Sequence, residues 1–335
     1  MTQIDTPFAK FYWLLSPSML PPQKQCPEKD LDEACLFVKR HCWHILPGVM
    51  PIFLSWIGDC ARETSNVKQL EQEAYALREY ARIQNNFVSQ IASAFDRNKI
   101  PYSFLKSSAL RWTVYNNPLE RLGADLDIAV SADWLEKCKL VVKTIGFEPA
   151  QWNRVQKKYE RANPFTRRAS ESRSYELGFF VYRLKLEEIS IEAEMAIRSS
   201  MHEYPELWFS LPNGDIGCYQ VLDIHHGINH ERNISVEPLI DSHHVVEVRG
   251  INYSIPRPSW LLLHLVCKIY FERVHKQSIS YQYADVCRLV SKMSSEEYKH
   301  FRSLLIEYDL ETEAYFVLHR LQSNFEIKLS SELCC

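Results

Sequence analysis

The sequence predicts an α/β protein in which a small mixed sheet sits between helical parts at either end. Three observations carry this. Apolar residues recur at three- and four-residue steps before residue 98 and again after residue 256. Short, alternating apolar runs cluster between those limits. The change of period falls at Asn98-Lys99-Ile100-Pro101, a segment that breaks a helix and precedes an extended run.

Taken in order, residues 1–66 read as mostly helical, punctuated by Pro17, Pro21, Pro22 and Pro47. From Val67 to Arg97 the residues Leu70, Ala74, Leu77, Tyr80, Ala81, Ile83, Phe87, Ile91 and Phe95 form one stripe, predicting a long amphipathic helix. Tyr102 to Leu105 reads as a strand, and Ser107 to Asn116 as a helix stopped by Asn117-Pro118. Asp125 to Val130 has the alternation of a strand, and Ser131 can cap a helix over 132–144 that ends at Gly146. Leu177 to Leu184 and Ile189 to Ile197 read as two further strands. Beyond Pro256 and Pro258, helices are expected near 259–275, 280–292, 295–308 and 311–323. The implied division is an N-terminal helical region (1–98), an α/β core (99–255) and a C-terminal helical region (256–335).

Composition narrows the function classes. The 335 residues are 46% hydrophobic and 24% charged with 9 Gly, which excludes collagen-like and low-complexity chains. A net charge of -3 gives no long-range attraction to nucleic acid, so a polyanion would need a local patch. The most apolar run, Leu261 to Val266, is far short of the ~18–20 residues needed to cross a bilayer. The N-terminal stretch lacks the apolar core of a signal peptide, and ten cysteines without a C-x-x-C pair suit free thiols, so a cytoplasmic setting is expected. The Cys334-Cys335 ending is prenylation-like but lacks a supporting basic run.

The chemistry-bearing residues lie in the middle third. Side chains two apart on a strand point the same way, so Asp125 and Asp127 project together while Leu126 and Ile128 turn to the core. Such a pair either lies wet at a sheet edge or is neutralised by a divalent cation, and hard oxygen ligands suit Mg²⁺, with Mn²⁺ as the alternative. Just upstream, Lys106-Ser107-Ser108 opens a helix directly after a strand. Its backbone amides and hydroxyls could hold a triphosphate, and Lys106 adds a point charge unless it is simply an exposed lysine.

Segment 101–148 resembles the uncharacterised nucleotidyltransferases of the polymerase-β superfamily. The residues that carry the likeness are Leu105-Lys106, Tyr115, Arg121, Asp125-Leu126-Asp127 and Gly146-Phe147, in that order. His44-Ile45-Leu46-Pro47 and Leu261-Leu262-Leu263-His264-Leu265 agree more loosely. The resemblance implies a polymerase-β-like core and metal-dependent transfer of a nucleoside monophosphate, AMP from ATP, with release of pyrophosphate. Asp125 and Asp127 would hold Mg²⁺, while Lys106, Ser107, Ser108 and Arg121 would contact the nucleotide. Arg121 could equally be a structural ion-pair partner. The family's glycine after lysine is Ser107 here, so its hydroxyl either compensates for the lost backbone approach or marks a weakened site. The family also shows a third acid followed two residues later by histidine; aligned on Ile191 to Met195, Glu192 takes the acid position, as catalytic and metal residue, and Glu194 replaces the histidine.

Other clusters remain open. Seven basic residues stand against three acids in segment 154–176, with Tyr159, Phe165 and Tyr175 interleaved, as a phosphate, RNA or peptide contact or as a solvated loop. His225, His226, His230, His243 and His244 follow Asp223; His226 and His230 have zinc-like spacing, though a structural or phosphate-contacting role fits better. Asp285 is expected to pack or cap a C-terminal helix. The partners implied are a nucleoside triphosphate and an acceptor (small molecule, peptide, protein or RNA), with no membrane. The competing reading is a non-catalytic protein that keeps the fold and binds RNA or a peptide.

Overall fold

The computed structural model describes residues 11, 30–57, 63–164, 174–228, 234–272 and 280–325. Two helices, α1 (Leu31–Cys42) and α2 (Leu46–Ile57), lead into the 33-residue α3 (Ser65–Arg97). All nine residues of the expected stripe on α3 are buried, so the helix is held by packing along one face. Of the expected N-terminal helical region, residues 1–10, 12–29 and 58–62 lie outside the described residues.

The chain then forms β1 (Tyr102–Phe104), α4 (Lys106–Thr113), β2 (Leu126–Val130) and α5 (Leu135–Ile145). Gly146 closes α5 in the left-handed conformation, φ +105°, as a C-terminal glycine does. Next come β3 (Glu148–Asn153), β4 (Lys158–Arg161), β5 (Phe180–Lys185), α6 (Ile191–Ser200), β6 (Trp208–Ser210) and β7 (Ile216–His225). A short helix α7 (Glu237–Asp241) and the hairpin β8 (His244–Val248) and β9 (Ile251–Ile255) follow. Four helices complete the fold: α8 (Pro258–Glu272), α9 (Ser280–Lys292), α10 (Ser295–Glu307) and α11 (Glu311–Phe325). They match the four expected at the C-terminal end within three residues at each boundary.

The seven-stranded sheet is mixed, as expected for this fold class. Its order is β1-β2-β7-β5-β3-β4, with β6 also paired to β7. The β2–β7 pair is parallel and the other pairs are antiparallel. β7 is the hub, since it pairs with β2, β5 and β6, and all ten of its residues are buried. One sheet face packs into the main core through Leu126, Ile128, Phe180, Leu222 and Ile224. The opposite face carries a second, smaller cluster built on Ala150, Tyr159, Val181, Tyr219 and Val221.

The expected strand over Ile189 to Ile197 is a helix instead, α6. Ser190 caps it by accepting a hydrogen bond from the Ala193 amide at 3.1 Å, and Glu192 and Glu194 stabilise its positive first turn. Its buried residues Ala193, Ala196, Ile197 and Ser200 follow the three- and four-residue spacing of a helix face. The period-two alternation of Ile191-Glu192-Ala193-Glu194-Met195 is therefore incidental, and Ile191 and Met195 are exposed. Conversely, β3, β4, β6, β7, β8 and β9 were not anticipated. The six described cysteines (Cys35, Cys42, Cys138, Cys218, Cys267, Cys287) are buried thiols.

Candidate functional site

The site assembles where β1, β2 and β7 lie side by side. Leu105, at the end of β1, donates its amide to the Asp127 carbonyl at 2.9 Å. On the other side Asp127 is in register with Asp223 on parallel β7, so the two carboxylates share one face of the sheet. Two positions along β7, on that same face, is His225. Asp127, Asp223 and His225 are all buried, and each offers a ligand atom within 4.8 Å of the others. Asp125 stands one residue before the β2 ladder and is half-buried at the rim.

Positive charge is built against these acids. Lys106 opens α4 with φ +45°, a left-handed conformation unusual for a lysine, and its Nζ lies 2.5 Å from Asp127 Oδ1 and 3.5 Å from His225 Nε2. His225 Nε2 is also 3.0 Å from Asp127 Oδ1 and 3.4 Å from Asp223 Oδ2, so the ring bridges the two acids. Burial alone would raise the Asp127 carboxyl, but Lys106 and His225 outweigh it and hold the group well below the usual range. Burial likewise opposes ionisation of Asp223, and His225 and Lys106 overcome it. His225 itself, despite burial, is pushed up to about 9, chiefly by Asp223. Asp125, with burial and Asp127 both against its charge, rises to about 6.

Polar capacity is left over in this buried cluster. Asp127 Oδ2, Asp223 Oδ1, His225 Nδ1 and Ser107 Oγ are buried and make no hydrogen bond. A protein interior rarely tolerates such orphans, and the unpaired carboxylate oxygens of Asp127 and Asp223 suit a cation. Two carboxylates and an imidazole are a divalent-metal donor set. The residues present therefore fit such an ion.

The lysine turn is braced from behind. Arg111, fully buried, donates to the Ser107 carbonyl at 3.0 Å, to Gln84 Oε1 at 2.5 Å and to Asn85 Oδ1 at 2.6 Å. Gln84 of α3 in turn donates to the Gly123 carbonyl at 3.0 Å. Ser108 Oγ accepts the Asp127 amide at 3.2 Å, which ties the turn to β2. Gly123 is shaped to Ser107: a Cβ there would sit 2.2 Å from Ser107 Oγ and 2.6 Å from the Asp125 carbonyl. The hydroxyl that replaces the expected glycine thus occupies space left free at Gly123.

Above the acids lies α8. His264 packs edge-on to the His225 ring at 6.2 Å, and Lys268, one turn further, is close enough to help hold Asp127 low. Glu176 approaches from the other side, its Oε2 3.9 Å from His225 Nδ1, and burial with Asp223 pushes it up to about 7.

Residues 54–326 match a protein family described as uncharacterised nucleotidyltransferases. The chain belongs to that family. No curated protein matches it. Among solved structures it is similar to an antigenic nucleotidyltransferase-like protein from Paracoccidioides brasiliensis, at 13% identity and a TM-score of 0.35, covering 69% of this chain and 91% of the other. No described helix is long and apolar enough to cross a membrane.

Within this nucleotidyltransferase family member, the structure brings Lys106, Ser107, Ser108, Asp125 and Asp127 together. It does not bring Glu192 or Glu194 to them. Glu192 is exposed in the first turn of α6, and Glu194 pairs with Arg198 at 2.7 Å on the outer face of the same helix. The acid beside the pair is Asp223, and Asp223-Ile224-His225 has the acid-x-histidine spacing that the resemblance had set on Glu192 and Glu194. The signal was present as an apolar run, Val221-Leu222, ending in that triplet. Arg121 is buried and points away from the acids. It grips Asp285 of α9 through Nε and Nη2 at 2.8–3.1 Å, and Tyr115 Oη donates to the same carboxylate at 2.7 Å.

Only part of the basic segment falls within the described residues. Arg154, Lys157, Lys158 and Arg161 lie on the β3–β4 hairpin, while Arg167, Arg168 and Arg173 lie outside the described residues. His230, half of the zinc-like pair, also lies outside them. His243 and His244 sit at the start of β8.

Proposed function

We propose that this chain transfers a nucleoside monophosphate, AMP from ATP, to an acceptor hydroxyl with release of pyrophosphate. The observation that carries this is the buried set Asp127, Asp223 and His225, whose ligand atoms lie within 4.8 Å of one another and leave one oxygen of each carboxylate unpaired, beside a lysine at a helix N-terminus. Buried unpaired acceptors are costly, and a divalent cation with a polyphosphate would satisfy them and the lysine at once.

Asp127 and Asp223, with Asp125 at the rim, would hold Mg²⁺, or Mn²⁺ if the His225 ring is also a ligand. When bound, the ion supplies charge neutralisation at the phosphates and lowers the barrier to attack at the α-phosphorus. Every other part of the reading falls to the chain itself. Lys106 exchanges Asp127 for the triphosphate, and the amides of Ser107 and Ser108 at the start of α4 donate to its oxygens. Lys268 adds a second positive charge from α8. The acceptor oxygen forms its bond to the α-phosphorus as the bond to the bridging oxygen breaks and pyrophosphate leaves. Glu176, beside His225 and open at one side, would take the acceptor's proton.

Calorimetric titration with Mg²⁺ and α,β-methylene-ATP tests the site. Asp127→Asn and Asp223→Asn are each expected to weaken nucleotide binding by at least about tenfold. ATP labelled at the α- or the γ-phosphate tests the reaction, with only the α label reaching the acceptor. Unaltered binding in both variants would remove the metal role, and transfer of the γ label would make the protein a kinase.

A further inference from the structure

The sheet face that bears the acids does not end with them. Across the sheet, Leu105, Asp127 and Asp223 succeed one another from β1 to β2 to β7. β5 comes next, where Phe180 pairs with Leu222, which leaves Phe179 beside Asp223. Ala150 of β3 then donates to the Phe179 carbonyl at 2.9 Å, and Trp152 pairs with Tyr159 on β4. Along β7 itself, Val221 and Tyr219 continue the face of Asp223.

This half of the face is a groove of about 680 Å³. Trp152, Tyr159 and Phe179 line it; Tyr159 meets Trp152 edge-on at 4.8 Å and Phe179 edge-on at 6.1 Å. Tyr159 is buried as the floor, whereas Trp152 and Phe179 are half-buried and keep ring surface open to the groove. Glu206 also lines it and is partly buried among these rings. Burial, and then the charges of Asp125 and Glu206, push the Tyr159 phenol up, so the groove lies within electrostatic reach of the candidate metal site.

Resting on the nucleotidyl-transfer reading above, we propose that this groove is the acceptor site and that it takes a flat aromatic molecule carrying a basic amine. The first argument is directional. In-line displacement puts the attacking and leaving oxygens on opposite sides of the phosphorus. With pyrophosphate leaving towards the Lys106 turn on the β1 side, the attacking group arrives over β7 and β5, where the groove opens. The second argument is chemical. Aromatic faces around a carboxylate recognise a planar cation, the rings through stacking and cation–π attraction and Glu206 through a charge-assisted hydrogen bond. Arg154 lies at the exposed rim, where its charge is solvated.

Ligand-observed NMR and calorimetry with tryptamine, with indole-3-acetate as its charge-reversed counterpart, test this on the full chain. Tryptamine is expected to bind in preference to indole-3-acetate. Trp152→Ala should weaken tryptamine about tenfold, Trp152→Phe should restore most of that loss, and Glu206→Gln should erase the preference between the two compounds. Binding of Mg²⁺ and α,β-methylene-ATP should stay within about twofold in all three variants. If Trp152→Ala or Glu206→Gln instead weakens the nucleotide analogue tenfold, the groove holds the nucleoside and the proposal is overturned. No tryptamine binding, or binding that ignores these variants, overturns it as well. Failure of the parent reading is separate: the wild-type chain would then bind no Mg²⁺–nucleotide at all.

Discussion

At the candidate site Ser107 and Gly123 are fitted to one another. The family resemblance leads one to expect a glycine after Lys106, and the chain places its hydroxyl-bearing serine there while opening the facing position at Gly123. The two cannot both carry a Cβ without movement, because a Cβ on Gly123 meets Ser107 Oγ at 2.2 Å and a backbone carbonyl, that of Asp125, at 2.6 Å. A rotating serine could relieve the first contact, but not the second. Gly123→Ala is therefore expected to cost about 2 kcal/mol through overpacking and to weaken nucleotide binding, since the displaced carbonyl belongs to Asp125. The double variant Ser107→Gly/Gly123→Ala should recover only part of that loss. Thermal melts and nucleotide titration read both effects, and a Gly123→Ala protein that melts and binds like the wild type would refute the fit.

At the scale of elements, legibility followed how many faces each segment buries. The stripe on α3 and the last two helices, α10 and α11, bury one face, so their sequence period shows. β7 buries both faces and carries Gln220, Asp223 and His225 inside an apolar run, so it has no alternation to read. Asp223 was missed for that reason, while the exposed, alternating start of α6 drew the assignment of a third acid to Glu192. The Asp125/Asp127 pair was legible because its strand keeps the period of two. Tyr115, Arg121 and Asp285 were legible as motif residues but not as a unit, since their meeting depends on α9 packing against the turn after α4. There they form a buried network in which Asp285 satisfies one guanidinium and one phenol. Asp285→Ala would strand the Arg121 charge, a change expected to cost about 3–5 kcal/mol. Tyr115→Phe, which removes a single hydrogen bond, should cost about 1 kcal/mol. Calorimetric melting should rank the two in that order, and equal midpoints would contradict the network.

Across the whole molecule, the sheet separates two jobs. One face joins a continuous core that reaches from Phe11 to Leu321, and the other holds the acids and the aromatic groove. The C-terminal helices serve both, because α8 packs into that core and brings His264 and Lys268 over the acids. Their own seating therefore bears on the site. Glu297 in the first turn of α10 accepts from Arg257 Nη2 at 2.7 Å and from the Ser259 amide at 3.0 Å, fastening the start of α8. Burial would raise this carboxyl, but the hydrogen bonds from Ser259 and Arg257 outweigh it and hold the group below its usual 4.5. A depressed carboxylate contributes stability that is present above its unfolded value and is lost as pH falls through the folded one. The contribution should thus be full at neutral pH and fade from about pH 4.5 downward. Comparison with Glu297→Gln isolates it from every other titrating group. The wild-type protein should melt higher at neutral pH, and the gap should close as the pH drops below 4.5. Two melting curves that stay parallel across the acid range would mean that Glu297 does not fasten α8 through its charge.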